Sequence, residues 1–316
     1  MVTMKVLLPD TIALEPELPA GVVTAVYDVQ HAIPDEHTDA EVLVVWGNTS
    51  DNLRDAARRL TGVRWVQTLA AGPDVVLQAG FGEGVVVTAG LGLHDRTVAE
   101  HTLGLVLAAA RRLNLLVRAQ IGRRWAGELG GIQPVRPTGS FRTLADANVV
   151  IWGFGGIAAR LAPLLAALGA DVTGVARTGG TRHGFPVVTE SDLPELLPAT
   201  DVLINILPAT AATAGIVDAT VLGRLPAHAW LVNVGRGSTV DEAALLAAIR
   251  AGDLAGAALD VFETEPLPSS SPLWDEPGVI ITPHAAGGRP EGASDLLTAN
   301  LAAYVTGAPL RNVVDR

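Results

Sequence analysis

A glycine-rich turn between two apolar runs constrains the fold of this 316-residue chain more than any other segment. Residues 148–168 read NVVIWGFGGIAARLAPLLAAL. The run Asn148–Trp152 predicts a strand, and the alanine- and leucine-rich run Ile157–Leu168 predicts a helix. The strand therefore enters a G-x-G-x-x-A turn that opens directly into a helix. In that context this glycine pattern typically binds the phosphates of a dinucleotide at the helix N-terminus.

Each small residue of this turn has a separate physical role. Gly153 permits the tight turn, Gly155 lets the backbone approach a pyrophosphate, and Ala158 keeps the helix close to the strand. The chain contains 34 glycines, so a glycine turn without a ligand is the alternative; the flanking strand and helix favour phosphate binding. The predicted phosphate-binding residues are Gly153, Phe154, Gly155, Gly156, Ile157 and Ala158.

The end of the next predicted strand, Asp171–Ala176, bears on which dinucleotide is bound. Sites for NAD usually place an acidic residue there, about 20 residues after the turn, to bind the ribose 2′-hydroxyl. Here the position falls on Ala176 or Arg177, and Thr178 follows. An arginine suits a 2′-phosphate through charge-assisted hydrogen bonds. We therefore expect NADP(H), with NAD(H) as the alternative and a solvated Arg177 as the reading without a ligand.

Short apolar runs alternate with helical patterns on both sides of this turn, which predicts doubly wound parallel sheets covered by helices on both faces. The further predicted strands are Lys5–Leu8, Gly21–Tyr27, Val42–Trp46, Arg64–Leu69, Val85–Thr88, Asp201–Ile206, Ala229–Val234, Ala255–Val261 and Gly278–Thr282. The further predicted helices are Asp51–Leu60, Ser191–Leu197 with a serine cap, Asp241–Ala251 and Glu291–Gly307.

One helix and the segment after it depart from this alternation. Val98–Arg112 is long, free of proline and apolar on almost every side, which predicts a buried helix. The stretch Asn114–Leu144 has weak periodicity and contains glycines, arginines and prolines, so we expect an excursion between compact parts.

Composition excludes several classes of protein. The net charge of −11 argues against nucleic acid, which needs a concentrated basic surface. The arginines at positions 111, 112, 118, 123 and 124 are expected to be a solvated or interface stretch. The chain has no cysteine, which excludes disulfides and thiolate sites. Neither a signal-peptide pattern nor an apolar run of about 18 residues is present, so we expect a soluble cytoplasmic protein with no membrane partner.

Three later segments place charged residues just after predicted strands. They are WLVNVGRGSTVDEAAL with Arg236, LDVFETEPLP with Glu265, and VIITPHAAGG with His284. Ligands of open α/β sheets bind beyond the carboxyl ends of the strands, so these residues are expected to converge. His284 can donate a proton to a ketone oxygen. Glu265 can favour its imidazolium form, and Arg236 can bind a substrate carboxylate through two hydrogen bonds.

Simpler readings of these residues remain open. Arg236 can serve as a cap, Glu265 can be solvated, and His284 can be structural; the three together favour a catalytic site. The other histidines lack such a context and are expected to be structural, with His101 packed on the long helix: His31, His37, His94, His101, His183 and His228. No residue spacing matches a metal site, so no metal is expected.

Taken together, these segments resemble the D-isomer-specific 2-hydroxyacid dehydrogenases, of the glyoxylate/hydroxypyruvate reductase type. The resemblance extends from about Val98 to Gly288, whereas the first hundred residues match mainly through LAAGPDVV. It rests on VAEHTLGLVLAAARR, GFGGIA, ILPATAATAGIVD, VNVGRGSTVDEAAL, AALDVFETEPLP, SPLW and TPHAAGG.

The resemblance implies an α/β architecture in which a Rossmann nucleotide-binding domain, residues 98–288, is inserted into a flavodoxin-like substrate domain, residues 1–97 and 289–316. It also implies a homodimer whose interface includes Leu113–Leu144. By position, Arg236 resembles the substrate-binding arginine, His284 the proton donor and Glu265 its carboxylate partner.

Further site residues follow from the same resemblance. Asp260 is expected to hold the nicotinamide carboxamide, and the backbone of Ala71 and Gly72 is expected to bind the substrate carboxylate. The cofactor is also expected to contact Ala176, Arg177, Thr178, Leu207, Pro208, Thr213 and Val234.

The predicted function is hydride transfer between NADP(H) and a small 2-keto or D-2-hydroxy acid of the glyoxylate or hydroxypyruvate type. One alternative is a dinucleotide-sensing binding protein of the same fold, and another is a dehydrogenase of a different small anion such as phosphite. Substrate selectivity is expected from loops near Trp46, Leu69 and Trp274, of which Trp274 either closes over the site or packs.

Overall fold

The computed structural model describes residues 4–132 and 139–315. The chain separates into two compact units. The first consists of residues 1–94 and 289–316, and the second of residues 95–288. Part of the predicted excursion, residues 133–138, lies outside the described residues.

The first unit contains a five-stranded, fully parallel sheet. The sheet order is β2-β1-β3-β4-β5, which is the order of flavodoxin-like domains and confirms that expectation. The strands are β1 (Met4–Pro9), β2 (Val22–Tyr27), β3 (Val42–Val45), β4 (Trp65–Thr68) and β5 (Val86–Thr88). The helices are α1 (Ser50–Arg59), the unpredicted α2 (Asp74–Gln78) and, from the end of the chain, α9 (Ala293–Thr306).

Helices cover both faces of this sheet because successive strand residues point to opposite sides. In β1, Val6 belongs to the core cluster that contains Leu297 and Leu301 of α9. The next residue, Leu7, belongs to the cluster that contains Leu53 of α1. The near-continuous apolar runs in the sequence follow from this burial on both faces.

A buried polar network ties α9 to the same sheet. The side-chain amide of Asn300 donates to Oε1 of Gln67 at 2.9 Å, and the same oxygen accepts from the hydroxyl of Thr88 at 2.8 Å. The indole of Trp65 donates to Thr88 at 2.8 Å. Because the three polar residues are fully buried and hydrogen-bonded, the network specifies how α9 packs without leaving an unsatisfied group.

The second unit contains an eight-stranded sheet with the order β13-β12-β11-β10-β6-β7-β9-β8. All neighbours are parallel except β8, which is antiparallel to β9 at the edge. The parallel part has the strand order of a Rossmann domain, which confirms the expected fold. The strands are β6 (Asn148–Trp152), β7 (Asp171–Val175), β8 (Gly180–Arg182), β9 (Phe185–Val188), β10 (Val202–Asn205), β11 (Trp230–Asn233), β12 (Gly256–Leu259) and β13 (Val279–Ile281).

The helices of the second unit are α3 (Asp95–Ala110), α4 (Leu113–Ile121), α5 (Gly156–Ala167), α6 (Leu193–Leu196), α7 (Ala219–Leu222) and α8 (Glu242–Ala251). Each predicted strand is present. Asn148–Trp152 has the predicted bounds, and the ends of the other strands differ from the prediction by at most two residues. The helix after β9 is capped differently from the prediction. Thr189, not Ser191, forms a reciprocal capping box with Asp192, and a 3₁₀ turn precedes α6.

The prediction that the long helix is buried on almost every side was wrong. The face of α3 with Val98, Thr102 and Val106 is buried, but Gly104 and Leu107 are exposed on the other face. Composition misled here, because alanine and glycine in a helix do not require burial. The predicted excursion also begins with a regular helix, α4, which its weak periodicity concealed.

The sequence patterns also did not reveal the hairpin of β8 and β9. Its first strand, Gly180–Arg182, is short and polar, so it lacks the apolar alternation by which strands are predicted. Among the described residues, no helix is both long enough and apolar enough to cross a membrane.

Candidate active site

The glycine turn after β6 has the geometry of a phosphate cradle. Gly153 has a φ of +100°, and a Cβ there would lie 2.9 Å from the carbonyl oxygen of Ile206. Gly155 caps the N-terminus of α5 in extended conformation and faces open space. The N–H groups of Gly156, Ile157 and Ala158 have no acceptor in the described part of the chain. These donors at a helix N-terminus fit the pyrophosphate of a dinucleotide.

The other residues of the turn pack against the protein interior and support the glycine turn. The ring of Phe154 is buried, packs against Phe185 at a centroid distance of 6.4 Å, and covers Gly174. Its backbone is therefore the part that a ligand can reach. Ala158 is fully buried between helix and sheet. A Cβ on Gly156 would overlap the carboxylate of Asp95, so any larger residue there would displace that side chain.

Two arginines lie where the sheet ends beyond β7. The backbone N–H of Ala176 pairs with Val188, and the next two residues, Arg177 and Thr178, are exposed. The guanidinium of Arg182 on β8 donates to the carbonyl of Phe154 at 3.4 Å and to the carbonyl and hydroxyl of Thr178 at 2.9 and 2.5 Å. In residues 4–132 and 139–315, neither arginine has a carboxylate partner.

The cofactor residues expected after β10 and β11 lie near the same edge of the sheet. Leu207 and Val234 are almost fully buried, and Pro208 is exposed. The hydroxyl of Thr213 donates to the carbonyl of Pro208 at 2.6 Å, which closes the loop after β10. Because Gly153 lies against Ile206, this loop is adjacent to the glycine turn.

A buried amide cluster holds the backbone of Arg236, and sequence reasoning missed it. The amide of Asn205 donates to Oδ1 of Asn233 at 3.2 Å and to the hydroxyl of Thr239 at 2.6 Å. Asn233 and Thr239 in turn donate to the carbonyl of Arg236 at 3.2 and 2.6 Å. The signal in the sequence is an asparagine at the end of two consecutive apolar strands.

Close packing explains why glycines flank Arg236. A Cβ on Gly235 would lie 2.8 Å from the backbone nitrogen of Leu207, and one on Gly237 would overlap the backbone of Phe262. The Arg236 loop is therefore pressed between the loops that follow β10 and β12. Its side chain donates from Nη1 to the carbonyl of Gly235 at 2.7 Å.

The structure pairs the other two predicted catalytic residues. Nδ1 of His284 lies 2.7 Å from Oε2 of Glu265, and Oε1 of Glu265 accepts from the backbone N–H of Phe262 at 2.9 Å. A carboxylate only accepts, so Nδ1 carries the hydrogen. Nε2 of His284 has no partner in the described segments and is free to exchange a proton with a ligand. The backbone of Phe262 also packs against Gly237, the residue after Arg236. The loop after β12 therefore contacts the Arg236 loop and carries the Glu265 that bonds His284.

Asp260 fixes the turn that carries His284. Its backbone carbonyl accepts from the N–H of His284 at 2.8 Å. Its carboxylate accepts from the N–H of Ala285 at 2.8 Å and of Ala286 at 3.1 Å. Burial alone would raise the pKa of Asp260, but hydrogen bonds from His101, Thr282 and these two N–H groups outweigh it and lower the pKa to about 2.

His101 also lies in this site, although sequence reasoning assigned it to packing. Its Nε2 is 3.0 Å from the hydroxyl of Thr282 and 3.3 Å from Oδ1 of Asp260. Three of the other histidines bond elsewhere. His31 pairs with Asp28 at the surface and His228 with Asp201, while Nε2 of His94 bonds the carbonyl of Leu69.

The expected carboxylate-binding residues belong to the first unit. The N–H groups of Ala71 and Gly72, after β4, have no acceptor in the part of the chain that the structure covers. The loop before them is fixed, because Ala70 accepts from Gly90 at 2.8 Å. The ring of Trp46 stacks on the ring of His94 at a centroid distance of 5.3 Å. Nε2 of His94 in turn bonds the carbonyl of Leu69, which precedes Ala70 in this loop.

Trp274 of the second unit is half-exposed, and its indole donates to the carbonyl of Pro268 at 2.9 Å. This bond holds the ring on its own loop, which favours the packing role over closure of the site.

The low pKa of Asp260 predicts a pH-dependent contribution to stability. Its folded pKa lies below the unfolded value, so the carboxylate stabilises the fold above about pH 4 and loses this effect as pH falls towards 2. Asp260→Asn should therefore lower the free energy of unfolding by about 2 kcal/mol at pH 7, with the difference from the unmodified protein narrowing on acidification. Urea unfolding across this range, with the exposed Asp253→Asn as control, measures it; a difference independent of pH would contradict the assignment.

Comparison with known proteins identifies relatives of this site and fold. The model of the D-isomer specific 2-hydroxyacid dehydrogenase NAD-binding domain matches residues 103–286. Over 226 residues the chain is 36% identical to the glyoxylate/hydroxypyruvate reductase A of Klebsiella pneumoniae strain 342, covering 70% of this chain and 68% of that protein.

The solved structures that match nearly the whole chain include two complexes with a bound dinucleotide. One is a D-isomer specific 2-hydroxyacid dehydrogenase from Xanthobacter autotrophicus Py2 in complex with NADPH and MES (TM-score 0.81, 30% identity, 100% of this chain and 98% of that one). The other is an NADPH-dependent glyoxylate/hydroxypyruvate reductase from Sinorhizobium meliloti in complex with NADP and sulfate (TM-score 0.80, 26% identity, 99% and 98%). The chain belongs to the D-isomer specific 2-hydroxyacid dehydrogenase family.

Proposed function

We propose that this protein reduces a small 2-keto acid of the glyoxylate or hydroxypyruvate type to the D-2-hydroxy acid, with NADP(H) as cofactor. The observation that carries the proposal is the 2.7 Å pair of His284 and Glu265 in the same unit as the glycine turn and Arg236. The substrate class is supported by the names of relatives from Klebsiella and Sinorhizobium, which are glyoxylate/hydroxypyruvate reductases.

The residues divide the reaction between proton transfer and binding. When bound, the reduced nicotinamide supplies the hydride that reaches the carbonyl carbon. Nε2 of His284 donates the proton to the carbonyl oxygen, while Nδ1 remains bonded to Glu265 and holds the ring in one orientation. Glu265 stabilises the imidazolium form before transfer, and solvent returns the proton afterwards. Arg236 binds the substrate carboxylate, on a loop that the buried amides keep rigid.

The two units take different parts in this proposal. Residues 98–288 form the dinucleotide-binding domain, and residues 1–97 with 289–316 form the substrate domain. The free N–H groups of Ala71 and Gly72 support their role as carboxylate ligands. Cofactor contacts of the residues after β10 and β11, and of Asp260 with the carboxamide, stay predictions. So does the cytoplasmic location.

A preference for NADP(H) rests on the two arginines beyond β7. A 2′-phosphate is a dianion, and Arg177 and Arg182 offer guanidinium groups with no carboxylate competitor in the described chain. Arg182 also fixes Thr178 beside them. The solved relatives from Xanthobacter and Sinorhizobium, which are complexes with NADPH and NADP, support the same preference.

The first prediction from this proposal concerns cofactor choice. The protein should have a higher kcat/KM with NADPH than with NADH. Arg177→Gln and Arg182→Gln should each reduce that preference about tenfold, since a hydrogen bond to a charged group contributes roughly 1.5 kcal/mol. Arg224→Gln, an exposed arginine at the end of α7, is the matched control. A preference for NADH in the unmodified protein would reject the assignment.

The second prediction concerns proton transfer. With glyoxylate or hydroxypyruvate and NADPH, His284→Ala should lower kcat by about 10²–10⁴-fold and leave NADPH affinity nearly unchanged, because general acid catalysis is removed without altering the cradle. His31→Ala at the surface is the control. Turnover that survives His284→Ala would exclude the proton-donor role.

The same assay separates the two alternatives. If the protein binds NADPH but reduces neither glyoxylate nor hydroxypyruvate nor another small 2-keto acid, it is a dinucleotide sensor. Reduction of NADP⁺ with phosphite, without activity on keto acids, would instead indicate a dehydrogenase of another small anion.

We further propose that the protein is a homodimer through α4 and the segment after it. Leu113, Val117 and Ile121 lie on one face of α4 and are 46, 50 and 78% exposed, and Trp125 is 96% exposed. Such a contiguous apolar face is rare on the surface of a monomer.

This face predicts the outcome of a sedimentation experiment. Val117→Asp combined with Ile121→Asp should convert the dimer to a monomer at micromolar concentration, because two buried charges would remain unpaired in the interface. Val305→Asp changes a comparably exposed apolar residue of α9 and should leave the dimer intact. A monomeric unmodified protein would contradict the proposal.

A further inference from the structure

The hydrogen atoms in the cluster of His101, Thr282 and Asp260 can be assigned from its donors and acceptors. The Thr282 hydroxyl lies 2.5 Å from Oδ1 of Asp260. An ionised carboxylate only accepts, so Thr282 donates its one hydrogen to Asp260. Nε2 of His101, 3.0 Å from the same hydroxyl oxygen, must then be a donor. His101 therefore carries its hydrogen on Nε2 and shares it between Thr282 and Asp260.

This cluster controls the turn on which His284 lies. Three successive N–H groups, those of His284, Ala285 and Ala286, all bond to Asp260. His284 itself has a φ of +51°, a left-handed conformation that is unfavourable for a residue with a side chain. The conformation persists because Asp260 binds the turn on both sides of it. A rotation of the Asp260 carboxylate would release two of these three bonds.

His101 connects this carboxylate to a rigid element. It lies on the 16-residue helix α3, whose buried face belongs to the core cluster that also contains Ala158, Leu161 and Leu165 of α5. Thr282 and Asp260 follow β13 and β12. The imidazole thus joins the helix to both strand ends, because its Nε2 donates to the Thr282 hydroxyl and to the Asp260 carboxylate.

We propose that His101 is a positioning residue for the reaction: it fixes Asp260 through Thr282 and thereby holds the His284 turn where Nε2 can deliver its proton. His101 does not touch the substrate. This inference rests on the proposed role of His284. A residue that only filled space would be replaceable by an apolar side chain of similar size, whereas removal of the Nε2 donor takes one hydrogen bond from Thr282 and one from Asp260.

The test compares His101→Leu with His101→Gln, since the glutamine amide can place an N–H donor near the position of Nε2. His101→Leu should lower kcat about tenfold to a hundredfold with little change in KM or NADPH affinity, because misplacement of a catalytic group by about 1 Å costs about 10²-fold. His101→Gln should recover most of the loss. Thr282→Val should resemble His101→Leu, and the double variant should be no worse than either single change. His31→Leu is the control.

A second measurement does not depend on turnover. In protein labelled with ¹⁵N-histidine, the Nδ1–H resonance of His284, bonded to Glu265, should be sharp in the unmodified protein and in His101→Gln, and broadened or shifted in His101→Leu and Thr282→Val. If the resonance and kcat are both unchanged in His101→Leu, the positioning role is rejected. If the unmodified protein reduces no keto acid but the resonance responds as described, the proposed reaction fails while the positioning of His284 by His101 stands.

Discussion

Parallel pairing in register places the chemistry of this protein at one edge of a sheet. In the second unit, Asn205 pairs with Asn233, and Leu259 with Ile281. The residue after each strand therefore emerges at the same edge, because parallel strands all end in the same direction. Asp260 and Thr282 are two such residues, and their 2.5 Å hydrogen bond follows from this alignment. Every group assigned to the reaction in this unit depends on the same edge.

Burying polar groups at such an edge is unfavourable unless each finds a partner. Two separate clusters of hydrogen bonds satisfy the buried polar groups here. Asn205, Asn233 and Thr239 bond to one another and to the backbone of Arg236, while Asp260 collects donors from His101, Thr282 and the His284 turn. The hydrogen bonds that satisfy burial are the same bonds that orient the predicted catalytic residues. Stability and positioning consequently cannot be changed independently at these residues.

Most of the fold could be predicted because its strands are buried on both faces. The continuous apolar runs and the glycine turn are local signals, and they indicated the parallel sheets and the turn between β6 and α5. The hairpin β8–β9 was missed because Gly180–Arg182 is short and polar. This strand forms by pairing with β9, and its own residues show no alternation that would predict it. The long helix was misjudged because burial of alanine and glycine depends on what packs beside them.

The site shows the same division between local and distant signals. Glu265 and His284 are recognisable because each lies in a distinctive segment after a strand. His101 is not, since Thr282, its hydrogen-bond partner, is 181 residues away in the sequence. Arg182 is 28 residues from the Phe154 carbonyl that it binds, and it lies on a strand that periodicity does not reveal. Only the fold brings such pairs together, so their roles have no signature in any single segment.

The order of the strands also separates the residues proposed for cofactor choice from those proposed for proton transfer. The arginines at positions 177 and 182 lie beyond β7 and on β8, on one side of the glycine turn, whereas Asp260 and His284 follow β12 and β13 at the opposite end of the sheet. The glycine turn after β6 lies between them. A change in the hairpin can therefore alter the fit to a 2′-phosphate without moving the Asp260 cluster, because no hydrogen bond in the described residues links the two. The proposed selectivity for the cofactor and the proposed control of the proton thus rest on separate parts of one sheet.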